Sequence, residues 1–193
     1  MTISHLHSVA PAADPIDLAR AKDAARDLLL ALGCDLDDES VRDTPRRMAE
    51  TYAELLTPRP FNATTFPNDE GYDELVVARD IPFHGVAHVG YQPGERIVGL
   101  SKLGRVVDFY ARRLQVQERL TTQVARWLCD ALEPRGVGVV IEAEHLCMSL
   151  RGVQKPGART GGAARPRGGR RGRRSPPRGG SRLPCRGPYR LRR

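Results

Sequence analysis

The hydrophobic period of the chain changes three times, and each change falls at a proline or a glycine. Apolar residues recur at helical spacing over 16–56, alternate over 75–99, return to helical spacing over 103–132, and alternate again over 137–150. The resulting order, α, α, β, β, α, α, β, β, predicts an α+β protein. Breaks as short as Pro82 and Pro93-Gly94 make neighbouring strands antiparallel, and the second helical pair is expected to pack on one face of the sheet.

Local punctuation supports this division. Asp14-Pro15 supplies an N-cap and a first-turn proline to a helix carrying Ile16, Ala19, Leu28, Leu29 and Leu32, with Gly33 as its stop. Asp43 and Pro45 open a second helix with the stripe Met48, Tyr52, Leu55 and Leu56. Residues 57–71, with Pro58, Pro60, Pro67 and Gly71, read as a loop. Leu103, Val106, Val107, Tyr110 and Leu114, then Leu120, Val124, Trp127, Leu128 and Leu132, form the later helical stripes. Val137, Val139 and Ile141, then Leu146, Met148 and Leu150, alternate as strands.

Composition enters through charge. The 193-residue chain has a formal net charge of +8, but residues 158–193 contain 13 Arg and no Lys, Asp or Glu, which leaves the rest acidic overall. A nucleic-acid-binding role would therefore rest on this tail alone, through non-specific, salt-dependent contacts. With 8 Gly and 5 Pro among its 36 residues, the tail has too little apolar surface to offset its ordering entropy. Its composition also matches a shifted reading frame in GC-rich coding DNA. The expected organisation is a disordered N-terminus over 1–13, one domain over 14–157 (helices 14–57, sheet and helices 72–157), and a disordered basic tail over 158–193. No membrane span or secretory signal is visible, so a cytoplasmic protein is expected, and the four cysteines are too dispersed for a disulfide framework.

Several segments carry chemistry. His145 and Cys147 lie two apart in a segment that alternates as a strand, where such side chains share a face; zinc would accept both, and so would a buried thiol beside a surface histidine. Gly99-Leu100-Ser101-Lys102-Leu103-Gly104-Arg105 joins a strand to a helix, where free N–H groups, a hydroxyl and two cations favour a phosphate. Gln117 and Glu118 stand in a polar break between apolar stripes. The Glu118 carboxylate can accept two N–H bonds from a guanine edge or simply face water. Arg151 marks a second basic strand end.

Taken in order, Asp43-Thr44-Pro45-Arg46-Arg47, Val98-Gly99-Leu100-Ser101-Lys102-Leu103, the run from Arg112 to Thr121, the run from Ile141 to Met148, and Arg151-Gly152-Val153-Gln154-Lys155-Pro156-Gly157 closely resemble GTP cyclohydrolase I, over about residues 15–160. The resemblance implies a tunnelling fold with an N-terminal helical extension, assembled into a homo-oligomeric decamer with sites between subunits. It implies an enzyme converting GTP to 7,8-dihydroneopterin triphosphate and formate, the first step of tetrahydrofolate biosynthesis, with a zinc-activated water attacking C8 of the purine. Cys147 then matches a zinc ligand and His145 a proton donor. Gln117 and Glu118 match the guanine-recognition pair, and Ser101, Lys102, Arg105 and Arg151 the triphosphate contacts.

Two departures stand beside the resemblance. The family's Cys-Glu-His-His zinc segment is absent where this chain runs from Asp80 to Val89, and Pro82-Phe83-His84 has the form of a joint left by an in-frame deletion. His84 and His88 are poor substitutes, because four residues along a strand span roughly 13 Å. The Arg/Gly-rich tail replaces the family's C-terminal segment after Thr160. The chain therefore reads as a GTP cyclohydrolase I with an incomplete zinc site, the alternative being a non-catalytic nucleotide-binding or assembly subunit of the same fold.

Overall fold

The structure, a computed structural model, describes residues 6–9, 15–150, 152, 154–165 and 190–192. The strands are β1 (Leu6–Val9), β2 (Phe61–Pro67), β3 (Val76–Phe83), β4 (Gly85–Gln92), β5 (Arg96–Val98), β6 (Gly136–Glu144), β7 (Arg159–Arg165) and β8 (Arg190–Arg192). The helices are α1 (Leu18–Ala31), α2 (Thr44–Leu56), α3 (Leu100–Ala111), α4 (Gln117–Leu132) and α5 (Leu146–Ser149). A five-stranded antiparallel sheet runs β3-β4-β6-β7-β8, and a three-stranded one runs β1-β2-β5. This is the α+β arrangement of the tunnelling fold.

The register of β4 on β6 sets Ala87 opposite Ile141, Val89 opposite Val139 and Tyr91 opposite Val137, so one face of the sheet is continuously apolar. The α3–α4 pair covers it. Leu103, Val106 and Val107 of α3, and Val124, Leu128 and Leu132 of α4, are buried there with the strand residues. Phe61 joins this core from β2, edge-on to Phe109 with ring centroids 5.9 Å apart. Tyr91 is buried as well, its hydroxyl accepting from the Val98 N–H at 3.1 Å.

The N-terminal helices form a hairpin on each other. Asp17, three residues beyond Asp14, caps α1 by accepting from Arg20 N at 3.0 Å, and Gly33 turns the chain at φ +81°. Asp43 precedes α2 without capping it. Its carboxylate instead pairs with Arg46, which also reaches Glu50. Leu28, Leu30, Leu32 and Tyr52 remain exposed on this hairpin.

Four expectations are corrected. Residues 61–67 form β2 rather than a loop, because Phe61, Ala63 and Thr65 alternate inward between the prolines. Residues 146–149 form the helical turn α5 rather than a strand. The N-terminal stretch expected to be disordered contains β1, paired with β2. Within the tail expected to be disordered, 159–165 form β7 and 190–192 form β8, while 166–189 lie outside the described residues; β7 pairs with the open edge of β6, which supplies its backbone partners. No helix among the described residues is long and apolar enough to cross a membrane.

Candidate functional site

The start of α4 faces the end of β6. Val116 leaves the α3–α4 turn in extended conformation, and Gln115 fixes that turn by donating to Tyr110 O at 3.1 Å and to Gln123 Oε1 at 2.7 Å. The first two helical residues then diverge. Glu118 points to solvent, while Gln117 is buried between β6 and β7 with 8% of its surface exposed. Gln117 Nε2 donates to Ile141 O and to Thr160 O, each at 2.8 Å, and its Oε1 lies 2.8 Å from His145 Nε2. Thr121 Oγ1 donates to Gln117 O at 2.7 Å, which anchors this turn from below.

His145 follows β6 directly and precedes α5, half-buried, with its carbonyl accepting from Ser149 N at 3.1 Å. Cys147 is exposed one half-turn further on. Because residues 146–149 are helical, successive side chains rotate by about 100° and positions two apart diverge, so the strand-based expectation that His145 and Cys147 share a face does not hold. Glu144 closes the following loop by accepting from Gly157 N at 3.1 Å. Arg151 lies outside the described residues.

The second group of site residues begins α3. Gly99 leads into the helix without a side-chain cap; the Lys102 N–H is taken by Gly99 O at 2.8 Å, which leaves the N–H groups of Leu100 and Ser101 for another acceptor. Ser101 and Arg105 are exposed and Lys102 is half-buried. Among the described residues neither cation makes an ion pair. A 12-residue helix is about 18 Å long, so the start of α3 is that far from its own C-terminal turn, where α4 begins. One chain therefore carries two half-sites: cations and free N–H groups at one end of α3, and Glu118, Gln117 and His145 at the other.

Two further basic motif residues, Arg112 and Arg113, are used in packing. Arg112 Nη1 donates to Glu54 O at 3.0 Å, tying α3 to α2, and the Arg113 guanidinium lies 4.9 Å from the Phe109 ring centre.

The donor set does not make a zinc site. Among the described residues no three His, Cys, Asp or Glu side chains converge on one point. His88 is engaged in its own hairpin: its Nδ1 accepts from Asp80 N at 3.3 Å, and its Nε2 lies 4.0 Å from Glu142 Oε1. Asp80 takes φ +56° where the β3–β4 register shifts, and His84 alone bridges the two strands, exposed at the corner.

The sequence profile of GTP cyclohydrolase I matches residues 21–168. The chain belongs to the GTP cyclohydrolase I family. It is 52% identical over 176 residues to the GTP cyclohydrolase 1 of Mycolicibacterium gilvum, covering 83% of this chain and 87% of the relative. The Mycolicibacterium vanbaalenii protein of that name is 53% identical over 178 residues, with the same coverage. That of Streptomyces avermitilis is 54% identical over 160 residues, covering 75% of this chain and 80% of the relative. Since 75% of 193 residues is about 145, that alignment of 160 positions includes about 15 that this chain lacks. The family match extends through β7, beyond the boundary at Gly157 read from composition.

Gly162 carried no signal in the sequence. A Cβ there would sit 3.1 Å from Gln117 Nε2, so this glycine makes room for the buried amide. Only the pairing of β7 with β6 brings the two together.

Proposed function

We propose that this chain binds GTP and is directed, as its family name states, to GTP cyclohydrolase chemistry: opening the imidazole ring of guanine to give 7,8-dihydroneopterin triphosphate and formate. The observation that carries this reading is the link from α4 to His145, which brings the guanine-facing turn and the histidine beside Cys147 into one polar cluster across 28 residues of sequence. Glu118 offers its carboxylate to the guanine N–H edge. Ser101, Lys102, Arg105 and the N–H groups of the α3 start receive the triphosphate, each charge-assisted contact contributing about 1.5–3 kcal/mol. His145 holds the proton that the opening ring requires.

A nucleotide spanning both groups requires the α3 start of one copy beside the α4 start of another, so a homo-oligomer, a decamer by family resemblance, is part of this reading. The exposed leucines of α1 provide apolar surface for such contacts. The family's zinc is the weak point. Cys147 is the one residue of the family's ligand set that this chain retains, and loss of two ligands exceeds the 10–100-fold cost typical of losing a single supporting contact. GTP is therefore bound but turned over far below an ordinary enzyme rate, in a cytoplasmic setting.

Purified protein assayed for formate from GTP, with and without added zinc, tests this directly, alongside metal stoichiometry and calorimetric GTP binding. GTP binding with substoichiometric zinc and formate release well below about 1 s⁻¹ is expected. One tightly held zinc per subunit with faster release would refute the incomplete-site reading. Absence of GTP binding would refute the whole.

A further inference from the structure

Both N–H donors of the Gln117 amide and its carbonyl oxygen are engaged inside the protein. The two backbone carbonyls at Nε2 settle which end of the amide is nitrogen, because the reversed amide would set three oxygens against one another. Oε1 is therefore an acceptor, and only a His145 Nε2 that carries hydrogen can satisfy it. We infer that Gln117 is a positioning residue for His145 rather than a guanine contact, orienting its imidazole and holding it as the Nε2–H tautomer.

This inference rests on the proposed role of His145 in ring opening, and it removes Gln117 from the guanine contacts. With both donors given to Ile141 O and Thr160 O, the amide has no N–H left for a base edge. Guanine recognition by a side chain of this turn then falls to the exposed Glu118 alone. The amide nitrogen is held from two sides, by β6 through Ile141 and by β7 through Thr160, while Thr121 Oγ1 donates to the backbone carbonyl of Gln117 and steadies the turn that carries the side chain. Gly162 lets β7 approach this closely.

The test is nitrogen NMR of the full chain labelled at histidine. The chain has five histidines, and His145→Gln identifies the His145 signals by their loss. With the imidazole neutral, Nε2 is expected at a protonated-nitrogen shift with a slowly exchanging proton, and Nδ1 at an unprotonated one. Gln117→Met keeps the length and removes every amide bond. In that variant the ring proton should exchange about tenfold faster, as for loss of one hydrogen bond. Should Gln117→Met fail to fold, Gly162→Ala, which crowds Nε2, should accelerate exchange in the same direction. A proton on Nδ1 in the parent, or exchange unaffected by the substitution that folds, would overturn the inference. Calorimetry supplies a second readout. Gln117→Met should keep the preference for GTP over ATP within about twofold, whereas a tenfold loss would return Gln117 to the guanine edge. If the parent binds no GTP, the proposed function fails, but the tautomer measurement still decides the role of Gln117.

Discussion

Gly85 stands at the corner where β3 meets β4, and replacing it with alanine tests how tightly that corner is closed. A Cβ would lie 2.5 Å from the Glu142 carbonyl oxygen and 2.9 Å from Phe83 Cζ. The phenylalanine ring can turn aside. The carbonyl belongs to β6, which is held to β4 by the Val86–Glu142 pairing, so relief requires the two strands to part. Overpacking of this kind costs about 1–3 kcal/mol. Restricting the unfolded chain returns about 0.4–1 kcal/mol, which leaves a net loss of about 1–2 kcal/mol. For a chain of this size each kcal/mol moves Tm by about 2–4 °C, so Gly85→Ala should melt about 2–8 °C lower. Gly138→Ala is the control: it lies in β6 with no heavy atom within 4 Å of its Cβ, and should match or exceed the parent. Circular dichroism melts at matched protein concentration read both variants. Equal midpoints for the two would refute the steric argument.

Leu128, fully buried beneath the sheet, should cost about 2–5 kcal/mol when replaced by alanine, read from the urea midpoint. Glu118→Ala should lower GTP affinity about tenfold and leave ATP affinity unchanged by calorimetry, because the carboxylate is assigned to groups that adenine lacks. Burial holds the Tyr91 phenol above its ordinary value of 10.0, against a smaller opposing effect of the Val98 N–H. The unfolded chain therefore loses its proton first: stability is full below pH 10 and declines as the pH rises through the folded-state value, and Tyr91→Phe should flatten that decline. Inserting between Phe83 and His84 a segment that carries the Cys-Glu-His-His motif implied by the family resemblance should raise bound zinc toward one per chain and restore formate release. Zinc content unchanged by the insertion would place the defect elsewhere.

Much of the candidate site was legible because it lies in short runs with local chemistry. The α3 start declares itself by a glycine before a hydroxyl and two cations, and Glu118 by its place in a polar break. The same locality misled the reading of 145–150. Leu146, Met148 and Leu150 alternate, but a four-residue turn is too short for periodicity to separate helix from strand, and the turn decides which way Cys147 points. Gln117 comes to the guanine edge only through the family resemblance, and the saturation of its side chain has no sequence signature. Its partners lie 24, 28 and 43 residues away.

The sequence by itself determined the core. Val106, Val107, Val124 and Leu128 on the helices, with Val137, Val139 and Ile141 on the strand, are apolar at the periods that put one face inward, and burial of that face is favourable in any arrangement that joins them. Tertiary structure alone decided β7. A segment of arginine, threonine, glycine and alanine sends only the small Ala164 side chain into the core, yet the unpaired edge of β6 offers a ladder of backbone donors and acceptors that any extended chain can meet. Once β7 is in place, Thr160 O and the gap at Gly162 fix the Gln117 amide and, through it, the orientation of His145. That geometry depends on contacts between elements distant in sequence, which local period and composition do not encode.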